Sequence, residues 1–367
     1  MSTFDILGER APVPCDIGDA DGVAMAFMEM GSVVTPLPFR QPALLDDQVR
    51  IKVTHAGLCQ SDLLSARGLW GPGVIYPLVP GHEIVGRVEK IGEKVTNVQV
   101  GDHVGFGVFK NSCRTCHECR TSQDNLCLNL EYTYGPDFGG YSTSFQSTGD
   151  FFFKLDESFP GQYAPLFCAG STVYSPIKRY VRPSMKVGVV GIGGLGHVAL
   201  MFANKFGCDV TAISTSASKE AEAKEMGAHH FLNINDAEHV KKAQRSLDFI
   251  IDTSVKLNFG LNFSLLKPRG KCAIVGLPDT EHDTGLNLTQ LLMNQQELIG
   301  SSVASRLEIE EMLSFIKLQN IQPLIDVYPF ADTQTAVNSL AFGNPKPPKY
   351  RNVVETASFF KTFTPRA

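Results

Sequence analysis

Hydrophobic and polar positions change rhythm twice along the chain. Up to about residue 160 short runs alternate. In QVRIKVTHAGLC (48–59), Val49, Ile51 and Val53 fall on one side, which predicts a half-buried strand. HEIVGRVEKIG and GDHVGFGVF predict further short strands punctuated by glycine. From about 165 continuous apolar runs replace the alternation. MKVGVVG, DVTAI, LDFIID and KCAIVGL read as buried strands, and GLGHVALMFANKFG and SASKEAEAKEMGA read as helices among them. Strands alternating with helices predict a parallel, doubly wound sheet. Near 300 that rhythm ends. RLEIEEMLSFIKLQ predicts an amphipathic helix, and YRNVV a short strand in the tail. The expected organisation is α/β: a β-rich domain over 1–164, a doubly wound domain over 165–304, and a tail over 305–367 that returns to the first.

Bulk properties fit this plan. A chain of 367 residues exceeds one ordinary core, and 43% hydrophobic with 19% charged residues is a globular composition. The formal net charge of −5 argues against a nucleic-acid partner. No run of about 18 apolar residues predicts a membrane span. The N-terminal MSTFDILGERAPVPCDIGD lacks an apolar export segment and an Arg-rich amphipathic helix, so a cytoplasmic protein is expected. Of the nine cysteines, four crowd between 113 and 127, which in a reducing compartment points to metal rather than disulfides.

VVGIGGLGHVA places Gly191, Gly193 and Gly196 as G-x-G-x-x-G, with Ile192, Gly194 and Leu195 between them, directly after a strand and at the mouth of a helix. Gly191 permits the tight turn, Gly193 lets the backbone approach a pyrophosphate, and Gly196 allows close packing of helix on strand. A site for NAD needs a carboxylate at the end of the second strand to bond the ribose 2′-hydroxyl. VTAISTSASK (210–219) contains no acid. Ser214 stands at that position, and Thr215, Ser216 and Lys219 follow. Hydroxyls and an ammonium suit a 2′-phosphate, so NADP(H) is the expected cofactor. The plainer account is a helix-capping serine followed by a solvated lysine.

CRTCHECRTSQDNLC gives Cys113, Cys116, Cys119 and Cys127, a set able to close a tetrahedral four-sulfur shell around a structural Zn²⁺. An iron–sulfur cluster is the competing occupant, although the spacing is not that of the ferredoxins. A zinc ribbon for nucleic acid is the reading from another class, and the acidic balance with Glu118 and Asp124 speaks against it. A dispersed set also draws attention: Cys59, His82, Glu83 and Cys168. No spacing rule connects these four. By themselves they read as a buried thiol, a structural histidine and a capping or pairing carboxylate.

The ordered series GLC-x-SD, PGHEIVG, the four-cysteine run, CAGSTVYSP, GxGGLG and IST resembles the zinc-dependent medium-chain dehydrogenase/reductase (alcohol dehydrogenase) family, most of all its cinnamyl-alcohol-dehydrogenase-like branch, over about residues 45 to 355. The resemblance implies a GroES-like β-rich catalytic domain interrupted by a Rossmann doubly wound domain. It implies two zinc ions per chain, with Cys59, His82 and Cys168 holding the catalytic one and Glu83 an exchangeable ligand. Asp62 would orient His82 through its other ring nitrogen. Ser61 would pass the proton to or from the reacting oxygen. Thr172, Thr253, Gly276 and Ser302 would line the cofactor channel, and Arg351 would approach the pyrophosphate. A homodimer joined through sheet edges of the nucleotide domain is also implied. Two positions depart from many relatives. Gln60 and Leu64 stand where histidines are common, and Leu64 cannot carry a proton onward. Trp70 is an aromatic candidate for the substrate pocket.

Three functions emerge as expectations. The first is an NADP(H)-dependent oxidoreductase acting on an aldehyde or primary alcohol, aromatic or medium-chain. The second is a reductase of activated C=C or C=N bonds on the same scaffold. The third is a non-catalytic zinc-binding interaction protein, disfavoured by the intact glycine motif and ligand set.

Overall fold

The alternation at 48–59 becomes the strand Gln48–Leu58, on which Val49, Ile51 and Val53 are fully buried. The structure, a computed structural model, describes residues 11–69, 74–134, 137–276, 283–344, 346–357 and 359. Residues 1–10 and Trp70 lie outside that set. The chain divides into two units, one formed by 1–168 with 324–367 and the other by 169–323.

Gln48–Leu58 is the hub of the first unit. It pairs antiparallel with Ile84–Ile91, with Ser144–Thr148 and with the returning tail strand Arg351–Glu355. The sheet runs Phe153–Lys154, His103–Phe106, Ile84–Ile91, Gln48–Leu58, Arg351–Glu355, Ile325–Pro329, and the last pair is parallel. A separate three-stranded antiparallel sheet contains Val13–Pro14, Val34–Arg40 and Gly22–Phe27. Phe106, Phe145 and Phe152 meet in the core at ring separations of 4.6–6.2 Å.

The second unit holds six parallel strands in the order His230–Asn233, Asp209–Ser214, Lys186–Val190, Leu247–Asp252, Leu266–Ile274, Glu297–Gly300. This is the doubly wound order, and its direction reverses between Lys186–Val190 and Leu247–Asp252. Val187, Val189, Phe249, Ile250, Ile251 and Cys272 are fully buried, which explains the continuous apolar runs of a sheet covered on both faces.

The second unit extends to Pro323, beyond the boundary expected at 304. The reason is the helix Arg306–Gln319. Ser305 and Glu308 close a capping box at its start, and Asn320 ends it in the left-handed region. Ile309, Met312 and Ile316 are buried, each worth about 1.5–3 kcal/mol. Glu308 pairs with Arg179 at 2.8 Å, and Phe315 packs against Tyr174, Phe202 and Phe206. Among the described residues, no helix is long and apolar enough to cross a membrane.

Candidate active site

Cys59 directly follows the central strand and caps the short helix Gln60–Ala66, where its amide donates to Asp62 Oδ2 at 3.0 Å. His82 and Glu83 stand just before Ile84–Ile91, which pairs with that same strand. Gly81 precedes them with φ +106°, and a Cβ there would lie 2.6 Å from the Tyr141 ring, so only glycine fits the turn. Cys168 comes directly after the turn of helix Gly161–Phe167. Three connections thus bring Cys59, His82, Glu83 and Cys168 together, with one ligand atom from each within 4.8 Å of the others.

Asp62 organises the group. Its fully buried carboxylate lies 3.0 Å from His82 Nδ1 and accepts from the Gly81 amide at 3.2 Å and the Tyr141 hydroxyl at 3.1 Å, besides the Cys59 amide. With Nδ1 engaged, His82 Nε2 is left for a metal. Burial opposes charge on this imidazole, yet Asp62, aided by Cys59, raises its affinity for a proton. The bond from Cys168, with Arg351 and His82, holds the Cys59 thiol well below its ordinary range against the cost of burial. Burial pushes the Glu83 carboxyl up to about 7 although Arg351 opposes the rise.

Glu83 Oε1 pairs with Arg351, while Oε2 is buried with no hydrogen-bond partner among the described residues. An orphaned carboxylate oxygen beside two thiols and an imidazole nitrogen fits a borderline-soft cation such as Zn²⁺. Gly57 makes room for it, since a Cβ there would fall on Glu83 Oε2.

The Cys113, Cys116, Cys119 and Cys127 sulfurs also lie within 4.8 Å of one another. Backbone amides point at them: Cys116 to Cys113 at 3.3 Å, Cys113 to Cys127 at 3.4 Å and Asn129 to Cys127 at 3.3 Å. The Thr115 and Cys116 amides lower the Cys113 thiol to about 6. Against the Cys119 amide, desolvation and the Cys119, Cys113 and Glu118 side chains push Cys116 up to about 12, so without a cation the cluster holds protons that a metal would displace. Four thiolates with no further ligand suit a closed zinc shell.

The glycine motif forms the turn between Lys186–Val190 and the helix Gly196–Lys205, at the point where the strand order reverses. Gly191 has φ +83°, a Cβ on Gly196 would fall on Gly191 O, and a Cβ on Gly193 would meet nothing within 4 Å. Ser214 is the last residue of the second strand, and its Oγ accepts from the Ser216 amide at 3.1 Å. Ser216 Oγ lies 2.8 Å from Ser218 Oγ, which adds a hydroxyl to the expected group. Asn235 fixes the Thr215 carbonyl at 2.8 Å. Lys219 Nζ donates to Ile192 O at 2.6 Å, so the lysine stands at the glycine turn.

Other expected residues are less gathered. Ser61 is buried in the first turn of its helix, and Leu64 is half-buried while Gln60 is exposed. Thr172 is buried on Ala169–Tyr180, Thr253 Oγ1 bonds the Gly191 carbonyl at 2.8 Å, and Gly276 packs against Ser254 O. Ser302 lies exposed in a loop. Arg351, expected to approach the pyrophosphate, is buried in the first unit, where it pairs with Glu83 and supplies the counter-charge that a buried carboxylate needs. Tyr141, Gly57 and the Arg351–Glu83 pair escape sequence reading, since nothing local in FGGYS or HAGLC marks a partner distant in the chain. Two cavities of about 410 and 200 Å³ open around Arg269 and His230, at the opposite ends of the parallel strands from the glycine turn, and contain neither cysteine cluster.

The alcohol dehydrogenase GroES-like domain matches residues 45–157, and the zinc-binding dehydrogenase domain matches 194–317. An aldehyde reductase of Synechocystis is 39% identical, over 87% of this chain and 95% of that protein. A cinnamyl alcohol dehydrogenase structure from Sorghum bicolor superposes with a TM-score of 0.85 and 36% identity, covering 91% of this chain and 97% of the other. The structure of CAD from Helicobacter pylori complexed with NADP(H) gives 0.83 and 33%, covering 92% and 98%. The chain belongs to the zinc-binding alcohol dehydrogenase family and is an alcohol/aldehyde oxidoreductase.

Proposed function

We propose that the protein interconverts an aldehyde and a primary alcohol, aromatic or medium-chain, with NADP(H) and two zinc ions per chain. The observation that carries this is the orphaned Glu83 Oε2 among Cys59, His82 and Cys168. Cys59, His82 and Cys168 hold the catalytic zinc and Glu83 is its exchangeable ligand. Cys113, Cys116, Cys119 and Cys127 hold the structural one. Bound zinc supplies Lewis acidity toward the substrate oxygen, and NADP(H) supplies or accepts the hydride.

The chain's own residues do the rest. Asp62 fixes the tautomer and orientation of His82. Ser61 Oγ holds the proton exchanged with the substrate oxygen, and Leu64 gives that proton no onward carrier. The amides of the 191–196 turn and the helix N-terminus receive the pyrophosphate. Ser214, Thr215, Ser216 and Lys219 receive the 2′-phosphate, which no carboxylate in 210–219 repels. Thr172, Thr253, Gly276 and Ser302 border the remainder of the cofactor. The edge strand Glu297–Gly300, with exposed Leu288, Leu292 and Met293 on the preceding helix, supports a homodimer paired there. Nine cysteines without a disulfide suit the reducing cytoplasm.

NADPH consumption across aldehydes, enones and imines, with and without a zinc chelator, tests this reading. Chelator-sensitive reduction of aldehydes supports it. Turnover confined to enones or imines would move the assignment to C=C or C=N reduction, and no turnover with any of them would contradict it.

A further inference from the structure

Three consecutive carbonyls of the glycine turn each receive a side-chain donor. Thr253 Oγ1, whose one hydrogen is shared with Val190 O at 2.9 Å, reaches Gly191 O at 2.8 Å; Lys219 Nζ reaches Ile192 O at 2.6 Å; and His197 Nδ1 lies 3.2 Å from Gly193 O, which also accepts from the His197 amide at 3.0 Å. The donors come from separate places: the end of Leu247–Asp252, the turn after the second strand, and the first turn of Gly196–Lys205. Because a carbonyl only accepts, His197 Nδ1 must carry the hydrogen. Thr253 is itself held, since its amide donates to Val190 O at 3.0 Å. Its neighbour Asp252 is fully buried and accepts from the Ser254 amide and hydroxyl and from Asn262.

A peptide plane carries the carbonyl of one residue and the N–H of the next on opposite edges. Fixing the carbonyls of Gly191, Ile192 and Gly193 therefore fixes the N–H groups of Ile192, Gly193 and Gly194. Those three amides donate to no partner among the described residues. In a glycine turn, peptide planes flip readily, and each flip would present a carbonyl instead of an N–H to an anion.

We infer that Thr253, Lys219 and His197 are positioning residues of the phosphate turn, which hold three carbonyls back so that three amides stay turned toward a dinucleotide pyrophosphate. This rests on the turn binding NADP(H), and it gives Lys219 work on the turn in addition to any at the 2′-phosphate. The consequence is specific. Losing these donors weakens binding of any adenine dinucleotide, with or without a 2′-phosphate.

The test is fluorescence titration of the full-length, zinc-loaded protein with NADPH and, separately, NADH. Thr253→Val is expected to weaken both cofactors by the same factor, roughly 3- to 10-fold, and His197→Phe by a smaller common factor, since the residue-197 amide still holds Gly193 O; the NADPH:NADH ratio stays unchanged. Thr253→Ser and His197→Asn, which keep a donor, should restore most of the loss. Lys219→Met should weaken NADH as well as NADPH. Should His197→Phe fail to fold, Thr253→Val and Lys219→Met decide alone. NADH affinity unchanged in both would overturn the inference. Equal affinity of the unaltered protein for NADPH and NADH would instead overturn only the proposed preference for NADP(H), and leave this test intact.

Discussion

Asp62 holds His82 from behind, Oδ1 to Nδ1 at 3.0 Å, with both side chains buried. The same carboxylate takes donors from Cys59, Gly81 and Tyr141, so its acceptor capacity is fully used. Asp62→Asn preserves the volume but sets a donor against one of these donors. Zinc affinity at the Cys59–His82–Cys168 site is expected to fall about 10- to 100-fold, read by competition with a chromophoric chelator. An unchanged affinity in a folded variant would show that His82 needs no such support.

Gly57 is where the strand yields space to the carboxylate of Glu83. A Cβ there would fall on Glu83 Oε2 and lie 2.9 Å from Glu83 Cβ. Gly57→Ala should therefore displace Glu83 and reduce turnover. Adding Gly57→Ala to Glu83→Gly, which removes both Oε2 and the Cβ, should cost little more. Losses in kcat/KM that simply multiply across the two substitutions would contradict the steric coupling.

The proposed preference for NADP(H) rests on the acid-free end of the second strand. NADPH should be favoured over NADH by roughly 1–3 kcal/mol through charge-assisted hydrogen bonds. Ser214→Asp should reverse the preference, by repelling the 2′-phosphate and offering the 2′-hydroxyl an acceptor. Equal kcat/KM for both cofactors in the unaltered protein would refute this.

Much of the fold and site is legible in sequence, and the limits have physical causes. The parallel strands are visible because burial on both faces makes continuous apolar runs. Gly22–Phe27 is also buried throughout but short, and its partner Val34–Arg40 contains Pro36 and Pro38, so neither shows alternation. The four-cysteine cluster reads locally because its ligands lie within fifteen residues. Cys59, His82, Glu83 and Cys168 share no spacing; the sheet brings them together, and only the resemblance to a known family points to them. The pairing of Arg351 with Glu83 is not legible because a sequence does not show which buried carboxylate an arginine must neutralise.

Two histidines of the first unit should make stability acid-sensitive. Burial lowers the pKa of His55, against Glu355, and of His103, against the Asp156 carbonyl. The unfolded chain then binds more protons than the folded one as pH falls through about 6.5, so stability falls with it. Above about pH 7 neither state is protonated and the contribution is complete. Thermal melting of His55→Asn/His103→Asn should change less between about pH 7.5 and 5.5 than that of the unaltered protein. Comparing the two removes the shared effect of metal loss. Identical pH profiles would contradict the prediction.

Zinc content measured together with turnover tests the central claim most directly. The unaltered protein should carry about two zinc ions per chain and reduce an aldehyde with NADPH. Cys168→Ser should keep its fold and about one zinc but lose turnover, whereas Cys113→Ser should lose stability. An active protein with a single zinc, or Cys168→Ser turning over at the original rate, would contradict the account.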